Sequence, residues 1–65
     1  MIYELMEGET LLLKFAFLPR TAGDTLLMKL VEAMGNGKVI CQTGDDNYRQ
    51  YELENERMLC IRVKE

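Results

Sequence analysis

The sequence offers few side chains that could do chemistry near neutral pH. Its 65 residues contain no histidine, no serine and no tryptophan. Because Ser–His–Asp and Cys–His arrangements both need an imidazole, the chain cannot supply a nucleophilic triad by itself. Cys41 and Cys60 are its two cysteines, and two thiols without histidine give no recognisable zinc ligand set. We therefore expect no metal site, no cofactor and no catalytic activity.

Carboxylates are the remaining groups that could act as acids or bases. Glu52 and Glu54 fall two apart on one side of a predicted strand, where alternation with apolar neighbours places them in solvent. A catalytic carboxylic acid needs burial or a nearby like charge to shift its pKa, so this pair indicates a solvated surface. Asp45 and Glu56 have the spacing of the first and last ligands of a calcium loop, but Arg49 stands where that loop needs an oxygen donor. A polar turn is the better interpretation.

The start of the predicted helix is a candidate anion site. Backbone N–H groups are unpaired at a helix N-terminus, and Arg20 is close in sequence, which makes Arg20 and Thr25 candidate anion contacts. Asp24 would repel a phosphate at this position, and no glycine-rich phosphate loop precedes it. Ordinary capping by Asp24 is therefore favoured.

The charge balance argues against a nucleic-acid partner. Eight basic and eleven acidic residues leave a formal charge of −3, opposite to the basic surface that binds a polyanion. Basic residues of the last third alternate with glutamates, which is typical of a solvated face of mixed charge. The alternative hypothesis is a small ligand-binding or nucleic-acid-binding module whose contacts are Lys14, Arg20, Arg49, Arg57 and Arg62.

Composition and length predict one small globular domain over residues 1–65. Hydrophobic residues make up 48% and charged residues 29%, with a single proline. No secretory leader pattern opens the chain, and no apolar stretch reaches the roughly 18 residues that a membrane span needs. We therefore expect a cytoplasmic protein with reduced thiols and no membrane partner.

The elements begin with a β-hairpin. Ile2–Met6 forms the first predicted strand, Gly8 lies in the turn, and Thr10–Leu18 forms the second. The second strand is apolar on both sides, with Leu11, Leu13, Phe15 and Phe17 on one face and Leu12, Ala16 and Leu18 on the other. Such a strand is typical of a central strand covered on both faces, or of a sheet whose second face packs on another chain.

One amphipathic helix, Thr25–Met34, follows, with Asp24 as N-cap and the sequence Gly-Asn-Gly at its end. Three further strands are predicted, over 38–43, from Tyr48 to residue 52 or 53, and over 57–63. The order ββαβββ with short connections predicts an α+β fold of two layers, a mainly antiparallel sheet with one helix on one face.

One helix cannot cover both faces of this sheet, and this surplus of apolar surface is the sequence's main functional signal. We expect a non-catalytic interaction or regulatory domain, of the accessory or inhibitor type, that self-associates through its sheet, with a dimer as the first expectation. The predicted contact residues are Leu12, Ala16, Leu18, Tyr48, Tyr51, Met58 and Cys60.

Overall fold

The computed structural model describes residues 2–16, 23–45 and 47–64, and these form an α+β fold of two layers. The element order is ββαβββ, which confirms the predicted fold class. The described elements are β1 (Ile2–Glu7), β2 (Thr10–Ala16), α1 (Gly23–Gly35), β3 (Val39–Gly44), β4 (Tyr48–Leu53) and β5 (Met58–Lys64).

The five strands form one antiparallel sheet in the order β2-β1-β5-β4-β3. Strand β5 therefore lies at the centre, and β2 and β3 are the two edges. Helix α1 packs on one face of this sheet and supplies Leu27 and Val31 to the core. The sheet contributes the other buried core residues, which are Leu5, Tyr51, Leu53, Leu59 and Ile61.

Helix α1 begins at Gly23, two residues before the predicted start. Asp24 therefore lies within the first turn rather than before it, and its side chain is outside the described residues. The predicted left-handed cap at the C-terminal end of the helix is confirmed, because Asn36 takes a φ of 55° directly after Gly35. The turn between β4 and β5 also caps this end, because Asn55 Nδ2 and Arg57 donate hydrogen bonds to the Gly35 carbonyl at 2.8 and 3.0 Å.

A β-bulge in the first hairpin changes the faces predicted for β2. Met6 pairs with Leu11, whereas Leu5 pairs with Leu13, so Leu12 is an extra residue between the two pairs. Leu13 then lies on the helix side with Leu5, while Leu11 lies with Met6 on the opposite side. The described part of β2 ends at Ala16, and the predicted continuation through Leu18 lies outside the described residues.

Among the described residues, no helix is long and apolar enough to cross a membrane.

Candidate functional site

The sheet face opposite α1, called the outer face from here on, carries most of the predicted contact residues. Residues paired across strands share a face, so the register of the sheet defines this surface. Its members are Ile2, Glu4, Met6, Leu11, Lys14, Ala16, Cys41, Thr43, Tyr48, Gln50, Glu52, Met58, Cys60, Arg62 and Lys64.

An apolar row crosses the outer face near the Gly8 turn. Leu11 of β2 pairs with Met6 of β1, which pairs with Cys60 of β5. Met6 is buried between its neighbours, but Leu11 is 49% exposed, and Met58, two residues before Cys60 in β5, is 47% exposed. These large side chains have no partner layer above them among the described elements, because α1 packs on the other face.

A shallow depression of about 210 Å³ lies next to this row. The hydroxyl of Tyr48 and the thiol of Cys60 share a hydrogen bond in its wall, which raises the pKa of Tyr48. Its volume suits one apolar side chain better than a cofactor, since small-molecule sites usually measure about 300–1,000 Å³. The depression is lined by Gly8, Tyr48, Gln50, Met58, Leu59 and Cys60.

A row of charges crosses the same face one step further along the strands. Glu4 of β1 pairs with Lys14 of β2 on one side and with Arg62 of β5 on the other. Arg62 Nε donates a 2.7 Å hydrogen bond to Glu4 Oε1, and Glu4 is only 7% exposed. The hydrogen bond and the positive charge of Arg62 lower the pKa of Glu4, outweighing the opposing effect of burial. Glu4 therefore stays ionised at neutral pH.

Three arginines named in the alternative hypothesis are committed to partners within the chain. Arg62 is held by Glu4, as described above. Arg57 donates two hydrogen bonds to the Glu7 carboxylate, at 2.9 and 2.6 Å, which lowers the pKa of Glu7. Arg49 Nε donates to the Asp45 carbonyl at 3.2 Å. Each of these guanidinium groups therefore has at least one partner within the chain, although the Arg62 side chain remains 49% exposed.

The predicted contact residues divide into three groups. Ala16, Tyr48, Met58 and Cys60 lie on the outer face, and Leu18 lies outside the described residues. Tyr51 is not on this surface, because its side chain is 0% exposed and belongs to the core under α1. Leu12 is not on this surface either. Simple alternation along β2 predicts it there, but the bulge turns its side chain toward the core under α1.

The candidate anion contacts are not brought together by any described contact. Thr25 is exposed in the first turn of α1, and Arg20 lies outside the described residues.

The carboxylates considered as acid–base groups or metal ligands do not form a cluster in the described structure. Glu52 lies exposed on the outer face, and Glu54 lies exposed in the turn after β4. Asp45 belongs to a hairpin turn, in which its Oδ1 accepts hydrogen bonds from the N–H groups of Asn47 and Tyr48 at 2.9 and 3.1 Å. Within 2–16, 23–45 and 47–64, no group of three or more His, Cys, Asp or Glu side chains could hold a metal ion.

Sequence reasoning overlooked three outer-face residues, Ile2, Met6 and Leu11. The tight turn at Gly8 gave a usable signal, because a two-residue loop after Glu7 pairs Met6 with Leu11 and puts them on one face. Strict alternation along β2 instead assigned Leu11 to the side of Leu13, since it allowed for no bulge.

Comparison with known proteins gives no relative for this chain. No family model matches it, and neither the curated proteins nor the solved structures contain a significant match.

Proposed function

We propose that this protein is a non-catalytic interaction domain that binds a second copy of itself through the outer face. One observation carries the proposal: large apolar side chains, including Leu11 and Met58, stand about half exposed on a face that α1 does not cover. A contiguous apolar surface of this kind is typical of a protein–protein contact.

The size of the outer face fits a small dimer. Five strands about 4.8 Å apart and six residues long, at about 3.3 Å per residue, give a face of roughly 480 Å². Two such faces together remove roughly 1,000 Å² from solvent, which is the lower bound for a specific interface. The second copy would also supply burial that a chain of 65 residues obtains only sparingly by itself.

The charges of the outer face favour an antiparallel stack. Lys64 pairs with Ile2 at one end of the sheet, and Glu52 pairs with Met58 at the other. A two-fold axis that crosses the strands would set the basic end of one copy over the acidic end of the other, which gives complementary potentials. Among the described residues of the outer face, the basic end carries Lys14, Arg62 and Lys64 beside Glu4, and the acidic end carries Glu52.

The described ionisable groups support a binding role better than catalysis. The pKa values of Glu4 and Glu7 are lowered by their arginine partners, whereas a general acid near neutral pH needs a raised pKa. The free thiols of Cys41 and Cys60 fit a reducing compartment, and we place the proposed function in the cytoplasm.

Sedimentation velocity of two matched lysine variants tests the proposal. Met58 on the outer face is 47% exposed, and Leu26 on α1 is 42% exposed. We expect the wild type to sediment above the mass of one chain at micromolar concentration, Met58→Lys to shift to a smaller species, and Leu26→Lys to match the wild type. A monomeric wild type, or equal behaviour of the two variants, would refute self-association through this face.

A further inference from the structure

The edge strand β3 has one side of its backbone directed away from the sheet. Asp45 N–H donates to the Tyr48 carbonyl of β4 at 2.9 Å. Because main-chain groups alternate in direction along an antiparallel strand, Cys41 and Thr43 also direct theirs toward β4, and Gln42 directs its N–H and C=O outward. A row of outward groups of this kind is a template for another strand.

The two edges of the sheet differ in how they discourage such pairing. Strand β2 carries Lys14 near its middle and a bulge at Leu12, which are two common devices that protect an edge. Strand β3 contains neither a charged residue nor a proline, and Ile40 is 60% exposed. Its bulge lies between Val39 and Cys41, so the register from Cys41 to Gly44 is regular.

The charges at the two ends of β3 favour a second copy of β3 as the partner strand, in antiparallel orientation. Lys38 immediately precedes the strand, and Asp45 and Asp46 immediately follow it. In two copies paired antiparallel about Gln42, Lys38 of each copy lies one residue from the position opposite Asp45 of the other, whereas parallel copies would place like charges together. We propose that β3 pairs antiparallel with β3 of a second copy about Gln42, which joins two five-stranded sheets through their backbones.

This pairing is independent of the contact through the outer face. Its two-fold axis is perpendicular to the sheet, whereas the axis of the stacked pair lies in the plane between the sheets. Both contacts can therefore operate in one closed assembly of four copies, with two extended sheets packed face to face and the helices outside. Variants of one contact should leave the other intact.

A proline at position 42 tests the pairing. Gln42→Pro removes an N–H that β4 does not use, and proline is tolerated at such positions of edge strands. Gln42→Thr is the matched control, because it retains the N–H and favours a strand. In sedimentation velocity we expect Gln42→Pro to halve the mass of the largest species and Gln42→Thr to leave it unchanged. Equal masses for the two variants, with native circular dichroism for both, would overturn the proposal.

Oxidative cross-linking provides a second measurement that does not depend on weakening the fold. In the proposed register Cys41 of one copy faces position 43 of the other, and directly opposed Cα atoms lie about 4.5–5.5 Å apart, within disulfide range. We expect Thr43→Cys with Cys60→Ala to form a covalent dimer under mild oxidation, and the same variant with Cys41→Ala to form none. A dimer from Cys60→Ala alone, or no dimer with both thiols present, would overturn the register.

Discussion

The two faces of the sheet differ in almost every property that determines packing, although the same strands build both. Tyr48 and Tyr51 show the contrast within one strand, because Tyr51 is fully buried under α1 and Tyr48 is 44% exposed on the outer face. Among the described residues, the helix side encloses seven that are buried and apolar, whereas the outer face mixes half-exposed apolar side chains with the row of Lys14, Glu4 and Arg62. One face is a completed core, and the other has the composition of a contact surface.

Truncating the two tyrosines gives the largest expected difference between the faces. Tyr51→Ala leaves a large cavity beneath α1 and should lower the free energy of unfolding by about 3–5 kcal/mol. Tyr48→Ala should leave the urea midpoint almost unchanged when the protein is dilute enough to be monomeric. Urea titrations followed by circular dichroism measure both variants, and similar losses for the two would contradict the separation of core and surface.

The end of α1 provides the next test. A Cβ added at Gly35 would collide with Leu53 Cδ1, and Leu53 is only 1% exposed, so it has little room to move. We expect Gly35→Ala to lower the free energy of unfolding by about 1–3 kcal/mol, despite the higher helix propensity of alanine. Thermal unfolding measures this change, and a stabilised variant would show that the helix end is loosely packed.

The bulge in β2 can be tested with adjacent leucines. Leu12 packs against the helix-side core, whereas Leu11 lies half exposed on the outer face. We expect Leu12→Ala to lower the free energy of unfolding of the monomer by about 1–2 kcal/mol, and Leu11→Ala by less than about 0.5 kcal/mol. The reverse order in urea titrations would mean that β2 follows simple alternation.

Acid should lower the stability of the fold by protonating Glu4 and Glu7, the carboxylates that pair with Arg62 and Arg57. The folded-state pKa values of Glu4 and Glu7 lie below the ordinary 4.5, so their stabilising effect is complete above that pH and is lost as pH falls through the lowered values. Arg62→Gln should make stability less dependent on pH below 4.5, while leaving the helix-side core intact. Urea midpoints measured from pH 7 to pH 3 test this, and parallel curves for the two proteins would contradict it.

The hydrophobic pattern sufficed to predict the helix, the strand order along the chain and the core face of β5, because Leu59, Ile61 and Val63 alternate without interruption. The bulge at Leu12 was beyond such reasoning. A regular continuation of the hairpin register would place Lys14 opposite Tyr3 on the helix side, and only one extra residue returns it to Glu4. Nothing local in the sequence marks that residue, since its position depends on packing across the completed sheet.

The sequence predicts an uncovered apolar sheet face, but it identifies only some of the residues that form the outer face. An excess of apolar residues over what one helix can cover predicts an uncovered face, and Met58 and Cys60 lie on that face, while their role as contact residues stays a prediction. Tyr51 was misassigned because tyrosine suits both interfaces and cores, and residue type alone does not choose between them. The pairing of Arg57 with Glu7 joins residues 50 positions apart and leaves no local sequence pattern.

NMR of the methionine methyl groups during dilution tests self-association through the outer face most directly, because methionines in α1 serve as internal controls for those on the outer face. Met6 and Met58 lie on the outer face, and Met28 and Met34 lie in α1. With ¹³C-labelled methionine methyl groups, we predict concentration-dependent shifts for Met6 and Met58 and nearly constant shifts for Met28 and Met34. Constant shifts for all four, or changes confined to the helix methionines, would contradict self-association through the outer face.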